Sequence, residues 1–345
     1  MPSPPVAIVS TGLVTSVGLT APAACAAMRA GITNHTETRF MGSDGEWIMG
    51  AQVPLEKPWR GRTKLVKMAA MAIREALEPL GDIEAGSLPL LLCVAEHDRP
   101  GRLDGLDDAL FAELEVELDI RFHPAASAVV PQGRASVPLA LAQARKLMAD
   151  QPLPRVLIAA TDSLLVGRTL EAYGEQDRLL SESNSNGFIP GEGAGAIVVT
   201  TLQSATASQL RCLGLGRGAE PAHLASEQPF RADGLTEAIK NALADAGCAV
   251  GDLDFRITDN SGEQYYFKEA TLALSRTLCV RKEEFDIWHP ADCIGEVGAA
   301  IGTAIFAKAL AASQKAYARG LSILVHAGND AGRRTAAVLR YSGSA

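Results

Sequence analysis

The sequence predicts an α/β protein assembled from two similar halves, and three observations lead there. The first is the stretch N-G-F-I-P-G-E-G-A-G-A-I-V-V-T at residues 186–200, where four glycines (Gly187, Gly191, Gly193, Gly195) feed a continuous apolar run. Glycine accepts backbone angles closed to other residues and lets another backbone come close. The β-branched run after it reads as a strand buried on both faces, or, in the plainer reading, as a packing hairpin. The second is composition: 47% of the residues are hydrophobic but only 5% aromatic, so the core must be built from Ala, Val, Leu and Ile. That suits close-packed α/β layers. The third is repetition, which emerges when the elements are taken in order.

Residues 6–10 read as a strand running into the glycine-bearing loop T-G-L-V-T-S-V-G-L. Thr20 is placed to cap the following helix, Pro22 sits in its first turn, and residues 23–30 carry it to a stop at Gly31. Residues 32–62, with Trp47 and Trp59 and several turn formers, read as irregular. Residues 64–80 have apolar side chains at helical spacing and end at Gly81, and residues 88–94 are an apolar strand opening into A-E-H-D-R-P-G. Residues 103–118 form a strongly acidic helix, most simply a solvated outer face. A helix at 136–149, a strand at 154–160 and the polar T-D-S then lead to the glycine stretch.

The second half opens with a strand at 210–214 and a helix at 233–246 stopped by Gly247. A strand at 255–258 opens into D-N-S-G-E, a small-residue helix covers 298–317, a strand at 321–326 opens into A-G-N-D-A-G, and 335–340 is the last strand. Each half thus closes on helix, strand, polar glycine loop and strand. This is an internal duplication, divided here into 1–201 and 202–345. Two such halves bring strand ends and loops together at a shared pocket.

The formal charge of −8 argues against a nucleic-acid partner, whose phosphates demand a basic surface. No apolar run approaches the roughly 20 residues that cross a bilayer, and M-P-S-P-P-V-A-I-V-S has no charged leader, so neither a membrane span nor a signal peptide is expected. Six dispersed cysteines without C-x-x-C point away from a disulfide framework or zinc site and towards a reducing cytoplasm; neither metal nor cofactor is expected.

Several motifs, in order, resemble the β-ketoacyl synthases of the thiolase superfamily over almost the whole chain. V-A-I-V-S-T-G-L-V-T-S-V-G at 6–18 is similar to that family's opening strand and loop, and G-F-I-P-G-E-G-A-G-A-I-V-V to its signature hairpin. Residues 233–247 resemble the helix opening its second half, G-E-V-G-A-A-I-G-T-A at 295–304 the loop and helix start bearing its second histidine, and A-G-R-R-T-A-A-V-L-R at 331–340 its closing strand. The resemblance implies a thiolase-like five-layered αβαβα fold and a dimer formed through the first half.

The same resemblance implies a cysteine nucleophile at a strand-to-helix turn and two histidines, a set able to hold a thiolate and stabilise a developing oxyanion. This chain departs from it. The nucleophile position falls in P-Q-G-R-A-S, at Arg134 or Gly133, and Gln132 is two residues away; relatives that serve as chain-length-type partners of an active sister carry glutamine at that position. Asn260 or Ser261 stands for the first histidine, Glu296 for the second, and the family's lysine falls near Ala291. Glu269 keeps a family glutamate, read here as a structural carboxylate welcomed by a helix start. Opposite charges at positions that converge in the family fold predict that Arg134 and Glu296 pair and plug the site.

Other candidates have competing readings. Cys293 is the substitute thiol for an active acyl-thioester condensing enzyme of the 3-oxoacyl-ACP synthase type, or a small buried hydrophobe. Cys93 and His97 have dyad spacing at a strand end, or belong to the core. His326 and Asn329 fall in a loop that walls the family's pocket, His326 as a base or as a histidine satisfied by backbone. Ser136 belongs to a helix cap, and E-Q-Y-Y-F-K at 263–268 either fills the former acyl tunnel or is core. The role expected is non-catalytic: a subunit, adaptor or chaperone-like accessory. It would form a homodimer, or a heterodimer with an active ketosynthase or a client protein, or would hold an acyl carrier protein; an acyl-CoA binder without turnover is the remaining reading.

Overall fold

The computed structural model describes residues 4–42, 45–81, 84, 86–202 and 208–343. The elements run β1 Val6–Val14, α1 Ala21–Ala30, β2 Thr36–Met41, β3 Trp47–Gly50, α2 Gly61–Leu77, β4 Leu90–Val94, α3 Ala109–Leu118, β5 Ala128–Pro131, α4 Ser136–Asp150, β6 Arg155–Ser163, α5 Gly167–Glu175 and β7 Glu192–Thr201. They continue with β8 Gln209–Ala219, α6 Asp233–Ala246, β9 Phe255–Thr258, α7 Gln264–Ser275, β10 Ile287–Trp288, α8 Ala291–Ile294, α9 Ile301–Gln314, β11 Ser322–Gly328 and β12 Arg333–Ser342.

Ten strands form one sheet in the order β10-β9-β11-β12-β8-β1-β7-β6-β4-β5. Split between β8 and β1, each set of five has the same internal order, and the same pairing sense recurs in both. β4 runs parallel to β5 and β6, and β9 runs parallel to β10 and β11. The closing strands β7 and β12 are antiparallel to their neighbours on both sides. The two sets meet where β1 pairs with β8, Val6 opposite Cys212 and Ile8 opposite Leu210.

Period-two alternation sets the layers, because successive strand side chains point to opposite faces. In β4, Leu91 and Cys93 join the central apolar cluster while Leu90, Leu92 and Val94 join an outer one with α2 and α3. In β11 and β12, Ile323, Val325, Ala337 and Leu339 face the centre, while Leu324, Ala336 and Val338 pack against α6. The centre holds α1, α4 and α9. Helix α9 is buried on nearly all sides, which its run of Ala, Gly and Ile permits. Gly302 lets it approach α4, since a β-carbon there would lie 2.6 Å from that of Val137. Outer helices, sheet, central helices, sheet and outer helices make five layers.

The first helix is capped as its sequence indicates: Thr20 accepts from the Ala23 N–H, and Gly31 ends the helix at φ 67°. Three expectations are corrected. Residues 32–62 are not wholly irregular, because β2 and β3 pair as a separate hairpin. The acidic helix begins at Ala109, and its one face is core: Leu110, Leu114 and Leu118 are buried, while Glu113 and Glu117 reach Arg62 and Lys67 of α2. Residues 167–175, which the sequence reading leaves within the polar loop before the glycine stretch, are helical. Among the described residues, no helix is long and apolar enough to cross a membrane.

Candidate functional site

Two glycine elbows pack against each other where the halves meet. After β5 the chain turns through Gly133–Ala135 into α4, and in the second half it turns through Gly298–Ala300 into α9. Gly133 and Gly298 both have φ +54°, the left-handed region that favours glycine. Each elbow is closed by a carboxylate. A β-carbon on Gly133 would lie 2.0 Å from Oε2 of Glu96, and one on Gly298 would lie 2.1 Å from Oδ2 of Asp162. Arg99 joins the two carboxylates, with 2.7 Å contacts to both. The left-handed residue on the first elbow is therefore Gly133, and Arg134 is the next residue of the turn.

Arg134 is buried and reaches the centre of the site. Its guanidinium lies 3.3 Å from Oε2 of Glu296, 2.8 Å from Oδ1 of Asp330 and 3.8 Å from Oδ2 of Asp259, above the Tyr266 ring at 4.3 Å. The positions expected to pair do meet. The glycine-rich stretch holds the partner in place: the Gly191 N–H donates to the Glu296 carbonyl and the Glu296 N–H to that of Ile189, each at 2.8 Å. Gly191 permits this approach, since a β-carbon would lie 2.7 Å from the Ile294 carbonyl oxygen. The Glu296 carboxylate accepts from the Ser261 hydroxyl at 2.9 Å and from the Gly298 N–H at 2.9 Å.

The network extends beyond this pair. Arg178 grips Glu263 through two bonds of 2.8 and 2.9 Å and reaches Asp330 at 2.7 Å, and the Tyr266 hydroxyl donates to Asp330 at 2.5 Å. Asp330, Arg178, Glu96, Arg99 and Asp162 are missed by sequence reasoning, while Glu263 and Tyr266 lie in the E-Q-Y-Y-F-K run, read as tunnel filler or core. Glu96, Arg99, Asp162, Glu263 and Asp330 stand in the polar strand-end loops A-E-H-D-R-P-G, T-D-S, D-N-S-G-E and A-G-N-D-A-G, whose charged residues are the available signal, and Arg178 lies outside all four. The space left among these side chains is about 10 Å³, room for one water.

The other candidates sit around the network. Asn260 is buried, and its side-chain nitrogen has no hydrogen-bond partner among the described residues. Gln132 gives its N–H to Ser136 Oγ at 3.0 Å, and the Ser136 hydroxyl donates to the Val130 carbonyl, so Ser136 stabilises the turn. Asn329 donates to the Gln132 carbonyl at 3.4 Å, tying the two halves. Glu269 is the sixth residue of α7 rather than an N-terminal one, and Arg334 holds it at 2.8 Å in place of the helix dipole. None of Gln132, Gly133, Glu269, His326 and Asn329 lines the residual space. Ala291 opens α8. Cys93 is fully buried in the central cluster while the His97 side chain is 65% exposed against Asp107, so that dyad does not assemble. Cys293 lies in the same apolar cluster, and burial raises its pKa above the ordinary thiol value. Among the described residues no group of three His, Cys, Asp or Glu could hold a metal ion.

Burial governs the protonation of this site. It pushes Glu296 up to about 7, against the opposing pull of Arg134, and raises Asp259 for the same reason. Glu269 is likewise pushed up to about 7 despite Arg334. Asp330 goes the other way: burial opposes ionisation, but Arg134 and Arg178 with their hydrogen bonds hold it well below the usual carboxylate range. His326 is pushed down to about 3, by burial first and then by Arg256, His289 and Arg334, which leaves it neutral at physiological pH.

A pH dependence follows. Between the ordinary 4.5 and about 7 the folded chain holds a proton on Glu296 that the unfolded chain releases, so stability falls as pH rises through that window. His326 works oppositely, adding stability as pH rises from about 3 to 6.5, and it is common to parent and variant. Glu296→Gln should therefore lose less stability between pH 5 and 7 than the parent, by up to about 1.4 kcal/mol per pH unit. Urea melts across the range read this directly, and parallel profiles would place the titration elsewhere.

No family model matches the sequence, and no curated protein matches it. Solved structures do. The complex of a type II polyketide synthase acyl-carrier protein with its hexaketide-bound ketosynthase (AntDE:AntF) has TM-score 0.82 at 14% identity, covering 98% of this chain and 99% of that one. The ishigamide ketosynthase/chain length factor has TM-score 0.80 at 17% identity, covering 99% and 100%. The ketosynthase ApeO in complex with its chain length factor ApeC, from Xenorhabdus doucetiae, has TM-score 0.78 at 13% identity, covering 98% of each. The fold is the thiolase-like fold of the ketosynthases along the full length of the chain.

Proposed function

We propose that this chain is a ketosynthase-like scaffold subunit in which a buried ion network occupies the place of condensing chemistry, and that it works by holding a partner. The observation that carries this reading is the closed elbow: Glu96 covers Gly133, Arg134 is tied to Glu296 and Asp330, and about 10 Å³ remains between them. Small-molecule pockets are typically some 300 Å³ or more. No thiol borders the residual space, and burial raises the pKa of Cys93 and Cys293, which disfavours the thiolate.

The halves 1–201 and 202–345 are the units of this scaffold. The partner is a second copy, a sister ketosynthase, a client protein or an acyl carrier protein, and the working compartment is the cytoplasm, where six unpaired thiols stay reduced. Support for a ketosynthase-type partner comes from the ketosynthase and chain length factor complexes of the same fold.

The test is intact mass after incubation with acyl-CoA and acyl-carrier thioesters. An unmodified mass is expected. A thioester adduct mapped to Cys293 would overturn the reading in favour of an active acyltransferase. Saturable acyl-CoA binding without an adduct would assign the chain as a ligand binder. Co-expression with ketosynthases of the native host, read by size exclusion with light scattering, separates homodimer from heterodimer.

A further inference from the structure

A second concavity lies on the outside of the first half, between the β2–β3 hairpin and the wall formed by α5 with residues 177–184, and its volume is about 820 Å³. Four of the ten large apolar side chains exposed among the described residues line it: Met41, Trp47, Met49 and Leu180. Exposed apolar side chains scattered singly need no explanation, whereas this clustering on one groove marks a surface that another molecule covers. Methionine is flexible and polarizable, and suits a surface that must fit an apolar side chain not prepositioned for it.

The rim is of one sign. Glu37, Glu171, Glu175, Asp177 and Glu182 are exposed along it, none is in an ion pair with a described residue, and no described lysine or arginine lines the groove. Arg39, the neighbouring cation on the hairpin, lies over the Phe40 ring at 4.9 Å. Glu171 and Glu175 stand four residues apart on α5, a like-charge spacing that weakens a helix when nothing answers it. Between them Gly174 leaves open space: beyond its own helix backbone and chain neighbours, no described atom lies within 4 Å of the position a β-carbon would take. A helix interior gives up stability for glycine, and here the result is room for an incoming chain.

We propose that this groove docks a basic amphipathic segment of a partner protein, its apolar side chains on Trp47 and the methionines and its Lys or Arg side chains on the α5 and 177–182 carboxylates. The proposal goes beyond the scaffold reading above and does not rest on it, because the groove shares no ionised side chain with the buried network and would serve an active or an inactive chain equally.

The probe is a fluorescein-labelled peptide of about 14 residues with Lys and Leu at helical spacing, read by anisotropy against the full chain. Saturable binding below about 100 μM, weakening steeply with added salt, is expected. Glu171→Lys with Glu175→Lys should weaken it about tenfold or more, and Trp47→Ala by at least about tenfold, with unchanged thermal melts. The same peptide with Glu for Lys, or with Ser for Leu, should not bind. Absence of binding by the Lys/Leu peptide overturns the proposal, as does indifference to the α5 reversals. Equal binding by spermine would show that charge alone suffices, and a change in the chain's own oligomeric state on reversal would assign the groove to a second copy; either result also removes it.

Discussion

Arg134→Met is expected to cost about 3–5 kcal/mol of folding stability above neutral pH, the largest effect of any single change in the buried site. The reason is what stays behind. Glu296 and Asp259 are buried, and both lie within 4 Å of the Arg134 guanidinium. Asp330 keeps Arg178 and the Tyr266 hydroxyl, but the other two lose their cation. Paired buried charges add little over an apolar core, whereas one removed partner leaves the other's desolvation uncompensated. The loss should shrink as pH falls through about 7, because Glu296, pushed up to about 7 even with Arg134 beside it, takes up a proton instead of remaining ionised. Adding Glu296→Leu to Arg134→Met should return part of the stability, giving a clear interaction energy in the double-mutant cycle. Guanidinium unfolding reads all of these, and a single variant within about 1 kcal/mol of the parent would mean that the network is not what holds the elbows together.

What the sequence allowed and what it hid divide along the range of the signal. Gly31 and Gly247 mark helix ends by a local requirement for left-handed backbone, and both helices stop there. The duplication was visible as element order because helix, strand, loop and strand recur, and the two sets of five strands repeat that order in space. The β2–β3 hairpin was hidden because T-E-T-R-F-M and W-I-M-G are short, and the less exposed face carries Thr38, Phe40, Ile48 and Gly50, too mixed to read as an apolar stripe. Helix α5 was hidden because G-R-T-L-E-A-Y-G-E is only 9 residues long with two glycines, and its inward face, Thr169, Leu170 and Tyr173, holds just two large apolar side chains. Arg134 with Glu296 could be foreseen from two charges at positions that the resemblance brings together. Asp330, 196 residues from Arg134, had no such guide, and Tyr266 had only its place in the E-Q-Y-Y-F-K run. Which loop reaches the centre of a pseudo-symmetric pocket is decided by tertiary packing, and packing leaves no periodic trace in the chain.

Placing a thiol on the first elbow should fail, for a reason the second elbow shares. Gly133→Cys must hold a side chain at φ +54° and put its β-carbon where Oε2 of Glu96 now lies, 2.0 Å away. The backbone conformation alone costs on the order of 1 kcal/mol or more. Displacing Glu96 breaks its 2.7 Å contact with Arg99, and Arg99 is also the clamp on Asp162, which covers Gly298. The strain therefore passes from one elbow to the other through a single guanidinium, and a loss of about 3 kcal/mol is expected in guanidinium unfolding. Glu96→Ala in the same chain opens the space and should return part of that loss. Acylation is expected in neither variant: in the first the new thiol stands against the Glu96 carboxylate, whose negative charge raises its pKa, and in both there is no imidazole among the residues lining the residual space. A Gly133→Cys chain as stable as the parent, or one acquiring an acyl mass from acyl-CoA, would mean that the elbow is still open to a nucleophile.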